Sequence, residues 1–222
     1  MTTPPTLNDA RILLAGADDL IARALARARE ITDGGKRIDD HQVLSERVTY
    51  AATEGRAAQD MIARTAAALA EGGADDMLEL TCVAGVADLV ESLKNRLAHA
   101  IDDLGLDESV IEDAFPAETR ALLRRAGSEQ VLRTIGAHIC ATRGANTTPL
   151  DEISEQVRDA VREFAENEVA PQAEHIHRTD ALIPESFISE MSELGYFGLA
   201  VPEEYGGSEM GNLAMILTTE EL

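Results

Sequence analysis

The chain has 222 residues, enough for one substantial core or two modest ones, and at 45% hydrophobic it belongs with globular rather than disordered proteins. A formal net charge of −22 makes phosphate-bearing partners, nucleic acid and anionic lipid alike, poor matches. Two cysteines are too few for a disulfide framework, and no uninterrupted apolar run suggests a secretory signal or a membrane span, so the chain reads as cytoplasmic. Aromatic residues make up 3% with no Trp, so the core is aliphatic and rich in alanine, which suits closely packed helices.

The first segment, Leu7 to Thr32, repeats apolar residues at helical spacing: Leu13, Ala17, Leu20, Ala24, Leu25, Ala28 and Ile31. Gly34 and Gly35 then supply a left-handed stop. A second helix is expected from about Asp40 to Ala70, with Leu44, Val48, Ala51, Gly55, Ala58, Ile62 and Leu69 as its stripe. Its small residues Ala51, Gly55 and Ala58 would let a neighbouring helix come close. After "EGGADD", Asp75 or Asp76 can cap a third helix carrying Leu78, Cys82, Val86, Leu89, Leu93, Leu97 and Ile101, closed by Gly105. Shorter helices follow at Ser109–Ala114, at Ala117–Ala126 and after Ser128, the last with Val131, Leu132, Ile135 and Ile139 inward. Cys82 and Cys140 sit inside these patterns as two small buried hydrophobes. "TRGANTTP" reads as a linker.

Beyond it, "LDEISEQVRDAVREFAENEVAPQAE" is an amphipathic helix with Ile153, Val157, Val161, Phe164 and Val169 inward, expected to end at Pro171. A shorter helix has Pro184 in its first turn and Gly195 just past its end. "LGYFGLAVPEEYGG" follows, crowding glycines, a proline and aromatic rings into one loop. Phe197, Leu199 and Val201 alternate as a short extended piece pinned to a core. Pro202 fixes one turn, and "YGG" makes a second reversal where side chains would obstruct a neighbouring backbone. The last helix, with Asn212 as its cap and Leu213, Ile216 and Leu217 on its apolar face, ends without a stop signal, as expected of a piece of a longer polypeptide.

"VREFAENEVAPQAEHIHRTDALIP", "LGYFGLAVPEEYGGSEM" and "ILTTEEL" occur in that order and spacing within residues 151–222. This stretch resembles the amino-terminal helical domain of the acyl-CoA dehydrogenases. The resemblance implies an all-α fragment: residues 1–146 a helical bundle extension, residues 147–222 an incomplete amino-terminal domain. The family's β-domain and carboxyl-terminal bundle would lie outside this chain. The whole enzyme would use FAD to place an α,β double bond in a short branched acyl-CoA. The long front extension and "FAENEVAPQAEHIHRTD" point to (2S)-methylsuccinyl-CoA, giving mesaconyl-CoA. Electron-transferring flavoprotein would take the electrons, and the enzyme would be a homodimer or homotetramer.

The family's catalytic carboxylate and its main FAD contacts have no counterpart here, so no catalytic or cofactor-binding residue is assigned and the fragment alone is expected to be inactive. Glu203, Glu204, Glu220 and Glu221 read as solvated acids. The resemblance makes Met210, Leu213 and Leu217 candidates for the wall of the acyl pocket or its supporting shell, with plain inter-helix packing as the competing explanation. Tyr205, Gly206 and Gly207 would hold the loop against the next domain. A two-carboxylate substrate needs a cation, and residues 151–222 offer only Arg158, Arg162 and Arg178.

In the front half, "VLSERVTYAATEGRAAQDMIARTAAALAEGG" follows the rhythm of the family's carboxyl-terminal bundle, so residues 1–146 are expected to be a degenerate copy with a structural or intersubunit role. "IGAHICATRG" lacks the pattern that accompanies flavin contact. His175, His177 and Asp180 do not make a metal site, because i and i+2 point apart on a helix and zinc needs four ligands. His41, His99 and His138 read as ordinary partly buried residues. Two other readings stay open: a relative acting on another acyl chain, and a non-catalytic acidic helical module that binds a protein partner.

Overall fold

A computed structural model describes residues 4–72, 75–144 and 150–222. Ten α-helices are found among them and no strand: α1 Leu7–Ile31, α2 Gln42–Gly72, α3 Asp76–Ala98, α4 Ser109–Ala114, α5 Ala117–Ala126, α6 Glu129–Thr142, α7 Glu152–Phe164, α8 Ala170–Thr179, α9 Glu185–Glu193 and α10 Gly211–Glu221. They fall into two compact units, residues 1–148 and 149–222. The sequence-predicted linker lies largely at 145–149, outside the described residues, as does Gly73.

In the front unit α1, α2 and α3 each pack against the other two. The direction of packing is recorded in their polar links. Arg47 near the start of α2 donates to the carbonyl of His99 just past α3, 2.9 Å, and Arg96 near the end of α3 pairs with Glu54 at 2.9 Å. These two helices are therefore antiparallel. The amide of Leu7, first in α1, donates to Glu79 in the first turn of α3, and Arg27 near the end of α1 donates to the carbonyl of Leu104. So α1 runs parallel to α3.

Their stripes meet as the periodicity predicts. Leu13, Ala17, Leu20 and Ala24 of α1, Leu44, Val48, Ala51, Gly55 and Ala58 of α2, and Cys82, Val86, Leu93 and Leu97 of α3 are buried. Each fully buried aliphatic side chain contributes about 1.5–3 kcal/mol. Gly55 does admit a close neighbour: a Cβ there would stand 2.5 Å from Ile21 Cδ1. Gly16 plays the same part unannounced, since a Cβ would run into the carbonyl of Ala114 at the end of α4. Asp75 caps α3, accepting from the amides of Met77 and Leu78 at 3.0 and 2.9 Å.

Several expectations are corrected. Leu25 is exposed, because Ile21 and Ala24 already fill the inward face beside it. Leu132, Ile139 and Cys140 are exposed as well, because α6 packs on α3 through Val131 and Ile135 alone. Gly34 and Gly35 are left-handed as expected (φ 66° and 96°), and Asp33 before them enters the same region at φ 49°. The amides of Asp33 and Gly34 return to the carbonyls of Glu30 and Arg29, a Schellman closure. α3 stops at Ala98, short of Ile101. His99 is exposed, whereas His41 and His138 are half-buried as expected.

In the rear unit the helix does not end at Pro171. A π turn, Ala165–Val169, leads straight into α8, and Ala170 keeps helical dihedrals of −56° and −39°. Proline lacks an amide and its ring would strike the carbonyl four residues back, so the wider turn lets the helix pass it. Ile153 faces solvent, while Val161 and Phe164 are buried. Asn212 lies inside α10 rather than capping it, with Met210 at the boundary. No helix among the described residues is long and apolar enough to cross a membrane.

Candidate functional site

The loop between α9 and α10 is held by its own backbone. Gly195, at φ 78°, ends α9, and a 3-10 turn over Tyr196–Gly198 follows. Here the expected extended alternation fails: Leu199 is buried, but Phe197 is 63% exposed and Val201 is on the surface. A turn rather than a strand carries these residues, so only one of the three points inward. Tyr196 instead packs edge-on against Phe164 of α7, ring centroids 6.0 Å apart. Burial pushes its phenol above the ordinary range, with Glu190 adding to the effect.

Residues 198–201 are then clamped against 207–210. The amides of Ser208, Met210 and Glu209 donate to the carbonyls of Gly198, Leu199 and Val201 at 3.0, 2.7 and 3.0 Å. Pro202 accepts from Tyr205 and Gly207, closing the second reversal over Gly206 at φ 85°. The obstruction expected at "YGG" falls on Gly207, where a Cβ would overlap the Val201 carbonyl oxygen. Tyr205 is left 75% exposed at the tip.

That clamp delivers the chain to α10, which packs on α7. Met210 at its entrance is exposed, Leu213 is half-buried, and Leu217 is buried with Ala214 and Thr218. Leu217 therefore belongs to the unit's interior, while Met210 and Leu213 keep surface to offer a neighbour. The Thr218 hydroxyl is buried without a hydrogen-bond partner, whereas Thr219 returns its own to the Met215 carbonyl at 2.9 Å. At the end of α10, Glu221 takes Arg162 of α7 in a two-pronged pair, 2.8 and 2.6 Å. This bond raises the guanidinium's pKa. Glu221 is thus a half-buried structural acid rather than a solvated one; Glu203, Glu204 and Glu220 are exposed as expected.

The three bases of this unit are all answered by carboxylates: Arg158 by Asp159, Arg162 by Glu221, Arg178 by Glu174. The loop itself carries Glu203, Glu204 and Glu209. Such a surface does not fit the diphosphate of a flavin dinucleotide, which calls for cations or clustered amides. Among the described residues no three His, Cys, Asp or Glu side chains gather closely enough to hold a metal.

The front unit has a groove of about 630 Å³, floored by Ala84, Gly85 and Ala87 of α3 and walled by Met61, Leu123, Leu132 and Ile135. Asp88, Glu91 and Arg124 stand at its rim. Sequence periodicity misses it, because the pattern assigns Leu132 and Ile135 alike to the core.

Comparison with known proteins places both units. The model of the acyl-CoA dehydrogenase amino-terminal domain matches residues 151–222, and that of the carboxyl-terminal domain matches residues 5–139. The chain belongs to the acyl-CoA dehydrogenase family. The carboxyl-terminal match thus precedes the amino-terminal one along this chain. A (2S)-methylsuccinyl-CoA dehydrogenase of Cereibacter sphaeroides is 29% identical across the whole chain, which covers 43% of that relative. A short-chain-specific acyl-CoA dehydrogenase of Clostridium acetobutylicum is 43% identical over 31% of the chain and 18% of its own length. Mitochondrial isovaleryl-CoA dehydrogenase of Bos taurus is 34% identical over 33% of the chain and 17% of its own. The chain therefore spans less than half the length of these relatives. Acyl-CoA dehydrogenases act on acyl-CoA thioesters and generally use FAD.

Proposed function

We propose that these residues are the front portion of an FAD-dependent dehydrogenase that converts (2S)-methylsuccinyl-CoA to mesaconyl-CoA and passes electrons to electron-transferring flavoprotein. One observation carries the reading. The methylsuccinyl-CoA dehydrogenase aligns over the entire chain, front bundle included, whereas the short-chain and isovaleryl enzymes align over about a third of it. On this reading residues 1–146 are a second, degenerate copy of the family's carboxyl-terminal bundle. The match to that domain over residues 5–139 and the three mutually packed long helices support it.

The rear unit's part in this chemistry is exclusion and placement. An α-proton next to a thioester becomes removable only where the developing enolate is stabilised and water is kept away. Met210 and Leu213 would present an apolar surface to the acyl group, and Leu217 would hold α10 from behind. The Gly198–Val201 clamp fixes where α10 begins, so Tyr205, Gly206 and Gly207 set the wall's position against the following domain. Arg162 is tied to the half-buried Glu221, whereas the exposed pairs of Arg158 and Arg178 hold only weakly, so the cation for the distal carboxylate comes from one of these two or from outside this unit.

A panel of acyl-CoA thioesters, assayed on the longer polypeptide that contains these residues, tests the assignment. Methylsuccinyl-CoA is expected to have a kcat/KM about tenfold or more above butyryl-CoA and isovaleryl-CoA, a margin a recognised distal carboxylate readily provides. Preference for either monocarboxylic thioester would discard the substrate assignment.

A further inference from the structure

Of the chain's 19 basic residues only Lys36 and Lys94 are lysine, and the rest are arginine. The difference is one of reactivity as well as shape. A lysine amine that gives up its proton is a nucleophile, whereas a guanidinium stays protonated and is inert towards acyl donors. CoA thioesters, on which this family acts, are acyl donors to amines, so the chain offers them two side-chain amines.

The fold treats the two differently. Lys94, near the end of α3, is 17% exposed and donates to both carboxylate oxygens of Glu91, at 2.8 and 2.9 Å. Lys36 is 78% exposed in the connection between α1 and α2, directly after Gly34 and Gly35. A Cβ on either glycine would meet nothing within 4 Å, so the approach to the amine is open. Its partner Asp33 stands 3.4 Å away and is 66% exposed, a pair too weak to hold the amine back.

We propose that Lys36 is the site at which this protein is acylated by a CoA thioester that bears a free carboxylate. That carboxylate belongs to the substrate of the proposed function, and the inference rests on that reading. In a four-carbon diacyl thioester the distal carboxylate oxygen attacks the thioester carbonyl and closes a five-membered cyclic anhydride, an intramolecular step of high effective concentration. The C–S bond breaks and CoA leaves as its thiolate. The neutral Nζ of Lys36 then attacks an anhydride carbonyl and the ring C–O bond breaks. An amide forms, the carboxylate is restored, and the proton from nitrogen passes to water. No electrons are gained or lost.

Charge selects this route over direct attack on the thioester. At −22 the chain repels the phosphates of CoA, and Asp33, Asp39 and Asp40 lie close to Lys36 in sequence. The anhydride leaves those phosphates behind and arrives uncharged. Acylation turns a cation into an anion and releases Asp33. The backbone of the connection does not depend on that pair: Gly34 donates to the Arg29 carbonyl at 2.8 Å and Arg37 to the Thr32 carbonyl at 2.9 Å. The modified chain therefore keeps its fold.

Mass spectrometry on the folded 222-residue chain, incubated with succinyl-CoA or with butyryl-CoA, tests the proposal. Hydroxylamine strips any ester formed on the exposed Cys140, and proteolytic peptides read amides at Lys36, at Lys94 and at the amino terminus separately. Succinyl-CoA is expected to acylate Lys36 about tenfold or more faster than butyryl-CoA, which cannot close a ring. Lys36 should outpace Lys94 by about tenfold or more in the folded chain, and urea should remove that margin by freeing both amines. Lys36→Arg should leave the folded chain without a side-chain amide. Equal reaction at Lys94 in the folded chain overturns the proposal. So does equal reaction with the two thioesters, and so does the lack of an adduct at Lys36. No thioester is dehydrogenated in this experiment, so its failure leaves the substrate assignment to the kcat/KM panel.

Discussion

At Gly207 the missing methyl group is a structural requirement of a kind that dihedral angles do not reveal. Its φ is not positive, so any residue could take the backbone shape, yet a Cβ would overlap the carbonyl oxygen of Val201. Gly206, one residue earlier, is the opposite case: φ is 85° and the space around it is open. The two glycines therefore separate steric overlap from backbone strain. Gly207→Ala is expected to destabilise the rear unit by about 1–3 kcal/mol by prying 198–201 from 207–210. Gly206→Ala should cost about 1–2 kcal/mol, through its dihedral alone. Urea titration gives the size of each, and hydrogen exchange at Ser208 and Met210, whose amides close the clamp, tells them apart. Protection there should be lost in Gly207→Ala and kept in Gly206→Ala. The need for glycine was legible in "YGG" because a second reversal so close to the first leaves no room for side chains. The failed alternation at Phe197 and Val201 was not, because period two over five residues also describes a chain of tight turns.

At the level of helices, the three long stripes of the front unit could be read directly, since each repeats over six or more turns and faces the other two. What escaped was the second neighbour of a helix. α3 buries Val83, Ala84 and Ala87 as well as its predicted stripe, because α5 and α6 also lie against it. Only the assembled fold says which helix has partners on more than one side. Pro171 is the sharper instance. The rule that proline ends a helix rests on a lost amide and a ring clash, and a π turn relieves the clash by widening the preceding turn. No local signal announces this, since Ala165–Val169 reads as ordinary helix. If Pro171 is what holds the turn open, Pro171→Ala should let it relax to α geometry. The variant should gain about 1 kcal/mol, less than the roughly 3 kcal/mol separating proline from alanine inside a helix, because the π turn already relieves part of the strain. The same relaxation turns α8 by about 100° relative to α7, one residue's worth of helix rotation. Amide chemical shifts across 165–179 would report it, and unchanged shifts would show that the turn has another cause.

Taken as a whole, the molecule divides its apolar side chains unequally. Among the described residues the front unit buries 32 hydrophobic side chains and leaves seven large ones exposed; the rear unit buries seven and leaves twelve exposed. Leu182 is 92% exposed, Ile183 62% and Phe197 63%, on a unit of fewer than eighty residues. A domain that small already buries the smallest fraction of its surface, and burial scales the hydrophobic contribution, so its core is marginal taken alone. The front unit has a continuous aliphatic core with Phe115 and Leu93 wholly enclosed, and it is expected to fold independently. Hydrogen exchange on the intact chain should therefore separate the two. Amides of α7 to α10 should exchange about a hundredfold faster than those at the centres of α1, α2 and α3, in keeping with opening energies that follow local burial. Urea should unfold the rear unit first, with the smaller denaturant dependence its smaller buried area implies. Uniform protection would mean that the rear unit draws stability from something other than its own core, and the exposed side chains of α9, α10 and their loop would be where to look for it. If instead the difference appears, the same amides should slow towards front-unit values whenever a partner surface covers them, because a surface carrying Ile188, Phe197, Met210 and Ile216 gains most by being covered.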